Sequence, residues 1–310
     1  MGDWKDTKYA FLDGEIIPIG EACLNVRSTL LQYGAGLFEG IRAYWNKEKR
    51  CLYVFRGPEH YHRMIRNAKI IAMNIPYTPE QLMEITVDLL KKENFGEDTY
   101  IRPLAYYNSQ NMLEKLLSDK YGFCIFSLPM SSISDIEKGL KVCVSSWTRV
   151  HDNAISPRGK IVGSYVNISL VLHDAKLSGY DDAIIMNENG YVSEGAGQNI
   201  VMVKNGKFVS PRESDDILEG ITLDSVETIV RDGLGMSFIR RAIGRTELYQ
   251  AEELFFCGTG CQVTPIISVD HRQVGDGKPG VLTKKVQELF FGIVRGNNSK
   301  YSKWFREVEF

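Results

Sequence analysis

Two Asx-Gly dipeptides set between short apolar runs constrain this chain more than any other feature. Tyr9–Leu12 leads into Asp13-Gly14 and then an apolar stretch at 16–19, and residues 200–203 lead into Asn205-Gly206 and then Phe208. A two-residue Asp-Gly or Asn-Gly link returns the chain on itself, because both central positions accept positive φ, so each pair reads as an antiparallel hairpin. Further strand-like runs occur at 52–55, 100–107, 122–128, 140–144, 183–186 and 254–257. Helical stripes lie between them. One opens at Pro58 and runs to about Met73, with Met64, Ile65, Ala68, Ile71 and Ala72 on one face. The next has Thr78 as cap and Pro79 in its first turn, with Leu82, Ile85, Leu89 and Leu90 at helical spacing. Two more are expected at 164–177, closed by Gly179, and at 222–234, with Leu223, Val226, Ile229 and Val230 on one side. The expected fold class is α+β (mixed α/β). A small-polar stretch at 129–136 reads as a linker between a domain at 1–128 and a larger one at 137–310.

Composition narrows the function classes. A 44% hydrophobic content over 310 residues supports one large or two ordinary cores. A formal net charge of −2 gives no electrostatic case for nucleic acid. The first eight residues are polar and charged, and no run approaches the roughly 20 apolar residues of a membrane helix, so a cytoplasmic chain is expected. Six cysteines, at 23, 51, 124, 143, 257 and 261, are scattered as in a reducing compartment. Cys257 and Cys261 frame Gly258-Thr259-Gly260, but two ligands at that spacing with no histidine nearby do not make a metal site.

The chemistry concentrates in two short stretches. One is Gly159-Lys160-Ile161-Val162-Gly163-Ser164-Tyr165 and the other Ser193-Glu194-Gly195-Ala196-Gly197-Gln198-Asn199. Lys160 has the amine that condenses with an aldehyde cofactor, Tyr165 a phenol for a ring oxygen, and Glu194 a carboxylate for a protonated ring nitrogen. A lysine attacks an aldehyde only when deprotonated, which needs burial or a positive neighbour, and Arg158 is a candidate source of that field. Singly, Lys160 has an ordinary reading as a surface lysine and Glu194 as a turn glutamate; the trio with Tyr165 is what points to a cofactor. Phosphate needs backbone N–H groups and hydroxyls, offered by Gly220-Ile221-Thr222 at a helix start and by Gly258-Thr259-Gly260 after a strand. Arg56, just past the strand at 52–55, adds a bidentate donor. Tyr100 and Arg102 share one strand face by two-residue alternation, a pairing suited to a substrate carboxylate. His60 and His62 lie two apart on a helix and read as surface or packing residues.

These residues bring a known family into view. The chain resembles the fold-type IV pyridoxal-phosphate enzymes, and most closely the branched-chain amino-acid aminotransferases. The resemblance runs through Tyr33-Gly34, Phe38-Glu39-Gly40-Ile41-Arg42, Phe55-Arg56 before Glu59-His60, and Tyr100-Ile101-Arg102-Pro103-Leu104. It continues through Ser145-Ser146-Trp147, the Lys160 to Tyr165 spacing, the Glu194 stretch, Gly220-Ile221-Thr222, Gly258-Thr259 and Thr264-Pro265. It implies a small N-terminal α/β domain and a larger C-terminal domain, with pyridoxal 5′-phosphate between them. It implies Lys160 as Schiff-base lysine and proton shuttle, Tyr165 on the ring oxygen, Glu194 on the ring nitrogen, and Arg56, Ile221, Thr222 and Thr259 on the phosphate. Tyr100, Gly260 and Cys261 would take the α-carboxylate, and Arg102 the distal carboxylate of glutamate or 2-oxoglutarate. Phe38, Gly40 and, from a neighbouring subunit, Tyr33 would line the side-chain pocket of a homodimer or higher homo-oligomer. The implied reaction is ping-pong transamination of leucine, isoleucine and valine with 2-oxoglutarate. The alternatives are an (R)-selective amine transaminase or a D-amino-acid aminotransferase of the same fold type; the latter carry an arginine-x-histidine pair where this chain has Arg102-Pro103-Leu104. Three stretches depart from the family pattern: Gly258-Thr259-Gly260-Cys261-Gln262, residues 108–119, and Ser164 before the tyrosine.

Overall fold

The computed structural model describes residues 7–110, 120–130 and 136–310, and the chain divides into two compact units, each with its own sheet. Most of the expected segment 108–119, and most of the expected linker 129–136, lies outside the described residues.

In the first unit, β1 (Tyr9–Leu12) and β2 (Glu15–Pro18) form the expected hairpin, with Asp13 and Gly14 both at positive φ. A short helix α1 (Thr29–Tyr33), capped by the Ser28 side chain, leads to β3 (Gly36–Phe38), β4 (Ile41–Asn46) and β5 (Cys51–Phe55). Two helices follow, α2 (Gly57–Ala68) and α3 (Pro79–Glu93). The Thr78 cap takes its full reciprocal form: its hydroxyl accepts from the Gln81 amide while the Gln81 side chain accepts from the Thr78 amide. Helix α2 stops earlier than expected, because the chain tightens at Lys69–Ile71 and Ala72 turns to a left-handed φ of 54°. Strands β6 (Thr99–Tyr107) and β7 (Tyr121–Pro129) complete the middle of the sheet. Leu37, Ile41 and Ile101 of the sheet pack against Met64 of α2 and Leu82 and Leu89 of α3 as one core.

In the second unit the strands are β8 (Leu140–Thr148), β9 (Asp182–Met186), β10 (Val192–Gly195), β11 (Asn199–Lys204), β12 (Lys207–Ser210), β13 (Phe238–Arg240), β14 (Glu253–Gly258), β15 (Gln262–Val269) and β16 (Arg272–Gln273). The order is β10-β9-β8-β15-β14-β11-β12-β13, with β16 on β15. The β11–β12 hairpin turns at Asn205-Gly206, with φ of 51° and 65°, as its dipeptide demands. Helix α4 (Tyr165–Leu177) lays Ile168, Val171 and Ala175 on Ala183, Ile185 and Ala196. Helix α5 (Ile221–Thr228) is shorter than expected, since Ile229–Gly233 continues as a π turn. The sequence reading missed helix α7 (Val281–Val294), which follows the four-residue α6 (Arg245–Leu248).

The expected division at 128 and 137 differs from the observed one at two places. The last strand, β17 (Phe305–Glu309), pairs antiparallel with β5, so residues 293–310 belong to the first unit rather than to a C-terminal domain. Arg295 anchors the same segment, donating to Asp98 at 2.8 Å and to the Trp45 carbonyl at 3.0 Å. Residues 159–163 also belong to the first unit, because Ile161 bridges to Leu37 and the Gly163 amide donates to the Gly34 carbonyl at 3.1 Å.

Asp182, at the start of β9, braces the turn after Glu194: it accepts from the Gln198 side chain and from the Ala183 amide, both at 2.7 Å. Burial outweighs these donors and pushes its carboxyl up to about 6. Its folded pKa therefore exceeds its unfolded one, so the stability it contributes is fully present below the ordinary aspartate range and is lost as pH rises through about 6. Between about pH 4 and pH 8 the native protein should lose on the order of 1–3 kcal/mol of unfolding free energy that Asp182→Asn does not lose. Urea denaturation of both forms across that range checks this; parallel curves would remove Asp182 as the cause.

Candidate active site

In the second unit the site grows from β10. Glu194 is buried there, and its carboxylate accepts three hydrogen bonds: Arg149 Nε to Oε1 at 3.0 Å, Asn199 Nδ2 to Oε2 at 3.0 Å, and the Leu218 amide to Oε2 at 3.1 Å. Arg149 is itself buried just beyond β8, with its amide on the Met186 carbonyl at 2.8 Å. Its Nη1 has no hydrogen-bond partner among the described residues. Asn199 gives its second amide hydrogen to the Leu218 carbonyl at 3.0 Å. It opens β11 and pairs there with Cys257 of β14. A Cβ on Gly220 would run into the Asn199 side-chain oxygen, so only glycine fits at the cap of α5.

The turn Thr259-Gly260-Cys261 joins β14 to β15 between the paired residues Gly258 and Gln262, with Gln262 at a left-handed φ of 59°. The Cys261 carbonyl is held by the Thr264 hydroxyl at 2.6 Å. Gly258 lies against Gln198, the neighbour of Asn199. Tyr165, first residue of α4, is half-buried and packs on the cluster that contains Ala196. The structure thus gathers Tyr165, Glu194, Gly220-Ile221-Thr222 and Thr259-Gly260-Cys261 around Gln198 and Asn199. Arg158 does not stand free as a field source: it pairs with Glu219 at 3.1 Å and Asp152 at 3.6 Å.

In the first unit, the Lys160 carbonyl accepts from the Phe38 amide at 3.0 Å, and its amine lies 5.7 Å from the Phe38 ring centre. The Arg102 guanidinium lies 4.3 Å from the same ring and donates to the Tyr100 hydroxyl at 2.9 Å. A Cβ on Gly40 would strike that hydroxyl. Phe38, Gly40, Tyr100, Arg102 and Lys160 therefore share one locality. Tyr33 closes α1 with 53% of its surface exposed. Arg56 takes a left-handed φ of 50° between β5 and α2; its amide donates to Trp304 and its Nε to Glu59 at 2.9 Å.

Arg149, Asn199, Glu39 and Arg63 were not among the expected site residues, yet all four are buried and hydrogen-bonded, and His60 is buried with them. Glu39 accepts from Arg63 Nε and Nη2, both at 2.7 Å, and from His60 Nδ1–H at 2.8 Å. Burial raises the Glu39 carboxyl, but Arg63 and His60 override it and hold the group well below the usual range. Burial lowers the His60 imidazole, which leaves it neutral. A signal existed for these in the i, i+3 spacing of His60 and Arg63; nothing in the sequence marked Arg149. Among the described residues, no group of three or more histidine, cysteine, aspartate or glutamate side chains is placed to hold a metal ion.

Comparison with known proteins decides the family. Residues 36–269 match the family described as amino-transferase class IV. The chain is a class IV aminotransferase. It is similar to the probable branched-chain-amino-acid aminotransferase of Aquifex aeolicus, 42% identical over 97% of this chain and 96% of that one. This aminotransferase is also similar in structure to the branched-chain aminotransferase of Thermoproteus uzoniensis solved with norvaline, with a TM-score of 0.93 and 39% identity over 97% and 99% of the two chains. The branched-chain amino acid aminotransferase of Thermobaculum terrenum in its PLP-form matches at a TM-score of 0.93 and 33% identity over 98% and 99%.

The Glu194–Arg149 pair gives this aminotransferase a measurable signature. Arg149→Met leaves a buried carboxylate without its cation, a change that costs about 3–5 kcal/mol in comparable sites. Adding Glu194→Gln to that variant should recover most of the loss, read as urea unfolding midpoints. Additive losses would show that the two side chains act independently.

Proposed function

We propose that this aminotransferase moves amino groups between branched-chain L-amino acids (leucine, isoleucine and valine) and 2-oxoglutarate, with pyridoxal 5′-phosphate as its cofactor. The observation that carries the substrate reading is Arg102 lying over Phe38 beside Tyr100 and Lys160. An apolar ring and one guanidinium in one locality suit a pocket that takes an apolar side chain in one half of the cycle and a second carboxylate in the other.

The residues present fit the cofactor. Glu194 is a buried carboxylate set by three donors, and beside it Arg149 Nη1 is a buried donor left over, as a site built around a polar ligand leaves one. The first turn of α5 and the glycine turn after β14 supply amides and hydroxyls for a phosphate. When bound, pyridoxal 5′-phosphate supplies an aldehyde that condenses with amino groups and a ring that withdraws electrons from the substrate Cα.

In this reading Lys160 would anchor the cofactor and would carry the proton to and from the substrate Cα. Glu194 keeps the ring nitrogen protonated and Tyr165 donates to the ring oxygen. Arg56, Ile221, Thr222 and Thr259 hold the phosphate. Tyr100 and the turn at Gly260 and Cys261 take the α-carboxylate, while Arg102 takes the distal carboxylate of glutamate or 2-oxoglutarate. Phe38 and Gly40 shape the side-chain wall. Tyr33 completes the wall from a neighbouring copy in a homodimer or larger homo-oligomer, a role supported by the exposure of Tyr33 and Leu31 on α1. Six free cysteines support a cytoplasmic protein, and no described helix is long and apolar enough to cross a membrane.

The purified protein with its cofactor should be yellow, and Lys160→Ala should lose the colour of the lysine-bound form; a colourless wild type after incubation with the cofactor would overturn the reading. With 2-oxoglutarate as acceptor, leucine, isoleucine and valine should react, and D-alanine and (R)-1-phenylethylamine should not. Arg102→Ala should lower kcat/KM for glutamate by about 30-fold or more, the worth of a charge-assisted hydrogen bond, and that for leucine by less than about 3-fold. Equal losses on both substrates would take the distal carboxylate away from Arg102.

A further inference from the structure

The second sheet has a seam. Its ladder runs β10-β9-β8-β15-β14-β11, yet the chain passes from β10 to β11, the two ends of that run, through residues 196–198. The sheet must curl until those ends meet, as a closing barrel does. No ladder joins β10 to β11 among the described residues. Glu194 stands on the β10 side of the seam and Asn199 on the β11 side, with the Asn199 side-chain amide donating to Glu194 at 3.0 Å. The ladder on the far side of β10 gives Glu194 little support, since its register to β9 is broken between Val192 and Gly195.

Gln198 supplies what the seam lacks. Its carbonyl accepts from the Gly195 amide at 2.7 Å. Its side chain passes beside Gly195, where a Cβ would lie 3.0 Å from its Nε2, and donates to Asp182 of β9 at 2.7 Å. One residue at the mouth of β11 thus grips the strand beyond β10. A Cβ on Gly258 would lie 3.3 Å from the Gln198 Cβ, so the same residue also abuts the end of β14, just before Thr259.

Stability is a poor reason for the pair. Burial pushes the Asp182 carboxyl up to about 6, so at neutral pH the fold holds it ionised at a cost, although Lys176 of α4 faces it. The Cys143 thiol of β8 lies 4.0 Å from the Asp182 carbonyl and brings no charge, its own titration being pushed up by burial. A charge-assisted bond of fixed direction is the better reason.

We propose that Gln198 and Asp182 are positioning residues: the bond between them staples the open seam and sets the distance from the Glu194 carboxylate to the Thr259-Gly260-Cys261 turn. Pyridoxal 5′-phosphate offers a ring nitrogen to the first and a phosphate to the second. Two anchors on one ligand reinforce each other only when their spacing matches it, and a mismatch forfeits the gain of the second anchor. The inference rests on the reading of Glu194 as the ring-nitrogen partner and of Thr259 as a phosphate donor.

The test titrates the full-length apoprotein with pyridoxal 5′-phosphate and with pyridoxal, which lacks the phosphate, and reads the absorbance of the lysine-bound form. Gln198→Ala should weaken binding of the phosphorylated cofactor by about 10-fold or more and that of pyridoxal by less than about 3-fold. At about pH 8, Gln198→Glu should do the same, because it sets two carboxylates against each other. Adding Asp182→Asn to Gln198→Glu restores one amide and one carboxylate, and should bring the affinity back to within about 3-fold of the wild type. Equal losses on both ligands, or no recovery in the exchanged pair, would make the pair merely structural and end the proposal. Should Gln198→Ala not fold, the exchanged pair and the hydrogen exchange of wild-type peptides spanning residues 195–199 decide; exchange at the rate of an exposed turn overturns the staple. A wild type that binds pyridoxal as tightly as its phosphate would sink the phosphate reading of Thr259, while faster exchange at 195–199 in Gln198→Glu and its recovery in the exchanged pair still decide the staple.

Discussion

Both hydrogens of the Asn199 side-chain amide are committed, one to Glu194 and one to the Leu218 carbonyl, and the chemistry of the second unit depends on that arrangement. Leu218 returns a bond to Glu194 through its own amide, which closes a small ring of polar contacts. The Asn199 side-chain oxygen fills the space that a Cβ on Gly220 would need, so the start of α5 is set against it. Through its backbone Asn199 aligns β11 with β14 just before the glycine turn. Segments near 194, 220 and 259 are far apart in the chain, and one amide side chain fixes their mutual geometry. Inside a low-dielectric core an unpaired polar group is costly, which is why the parts of this ring fit so few alternatives.

The first unit follows the same rule with charges. Glu39 and Arg63 are buried as a matched pair, with neutral His60 donating to the same carboxylate. Arg102 is managed differently: its charge lies across aromatic faces and on a phenol, which leaves it able to meet a carboxylate. One unit thus holds a neutralised pair and an available cation.

Much of this was legible in the sequence, where local chemistry decides structure. Asp13-Gly14 and Asn205-Gly206 made their hairpins, and Thr78 with Gln81 made its cap, because each acts through neighbours in the chain. The stretches around Lys160, Tyr165 and Glu194 pointed to the class IV family because they keep a recognisable spacing. What was hidden depends on distance. Arg149 meets Glu194 across 45 residues, and Glu39 meets Arg63 across 24, so neither pairing leaves a local pattern. Glu39 was further masked because alternation calls for a core residue there. The C-terminal strand was missed because Phe305-Arg306-Glu307-Val308-Glu309 is mostly polar, with only Val308 fully buried.

That strand has a consequence for how the molecule is made. The sheet of the first unit begins at residue 9, yet β5 gains its outer neighbour only when residues 305–309 emerge. The Arg56 amide finds its acceptor on Trp304, and its guanidinium the indole ring of the same residue. A chain still on the ribosome therefore carries β5 as an open edge until residues 305–309 have emerged. The second unit, whose strands all lie between residues 140 and 273, can complete its sheet first. The half of the protein that is translated first is the half that finishes folding last.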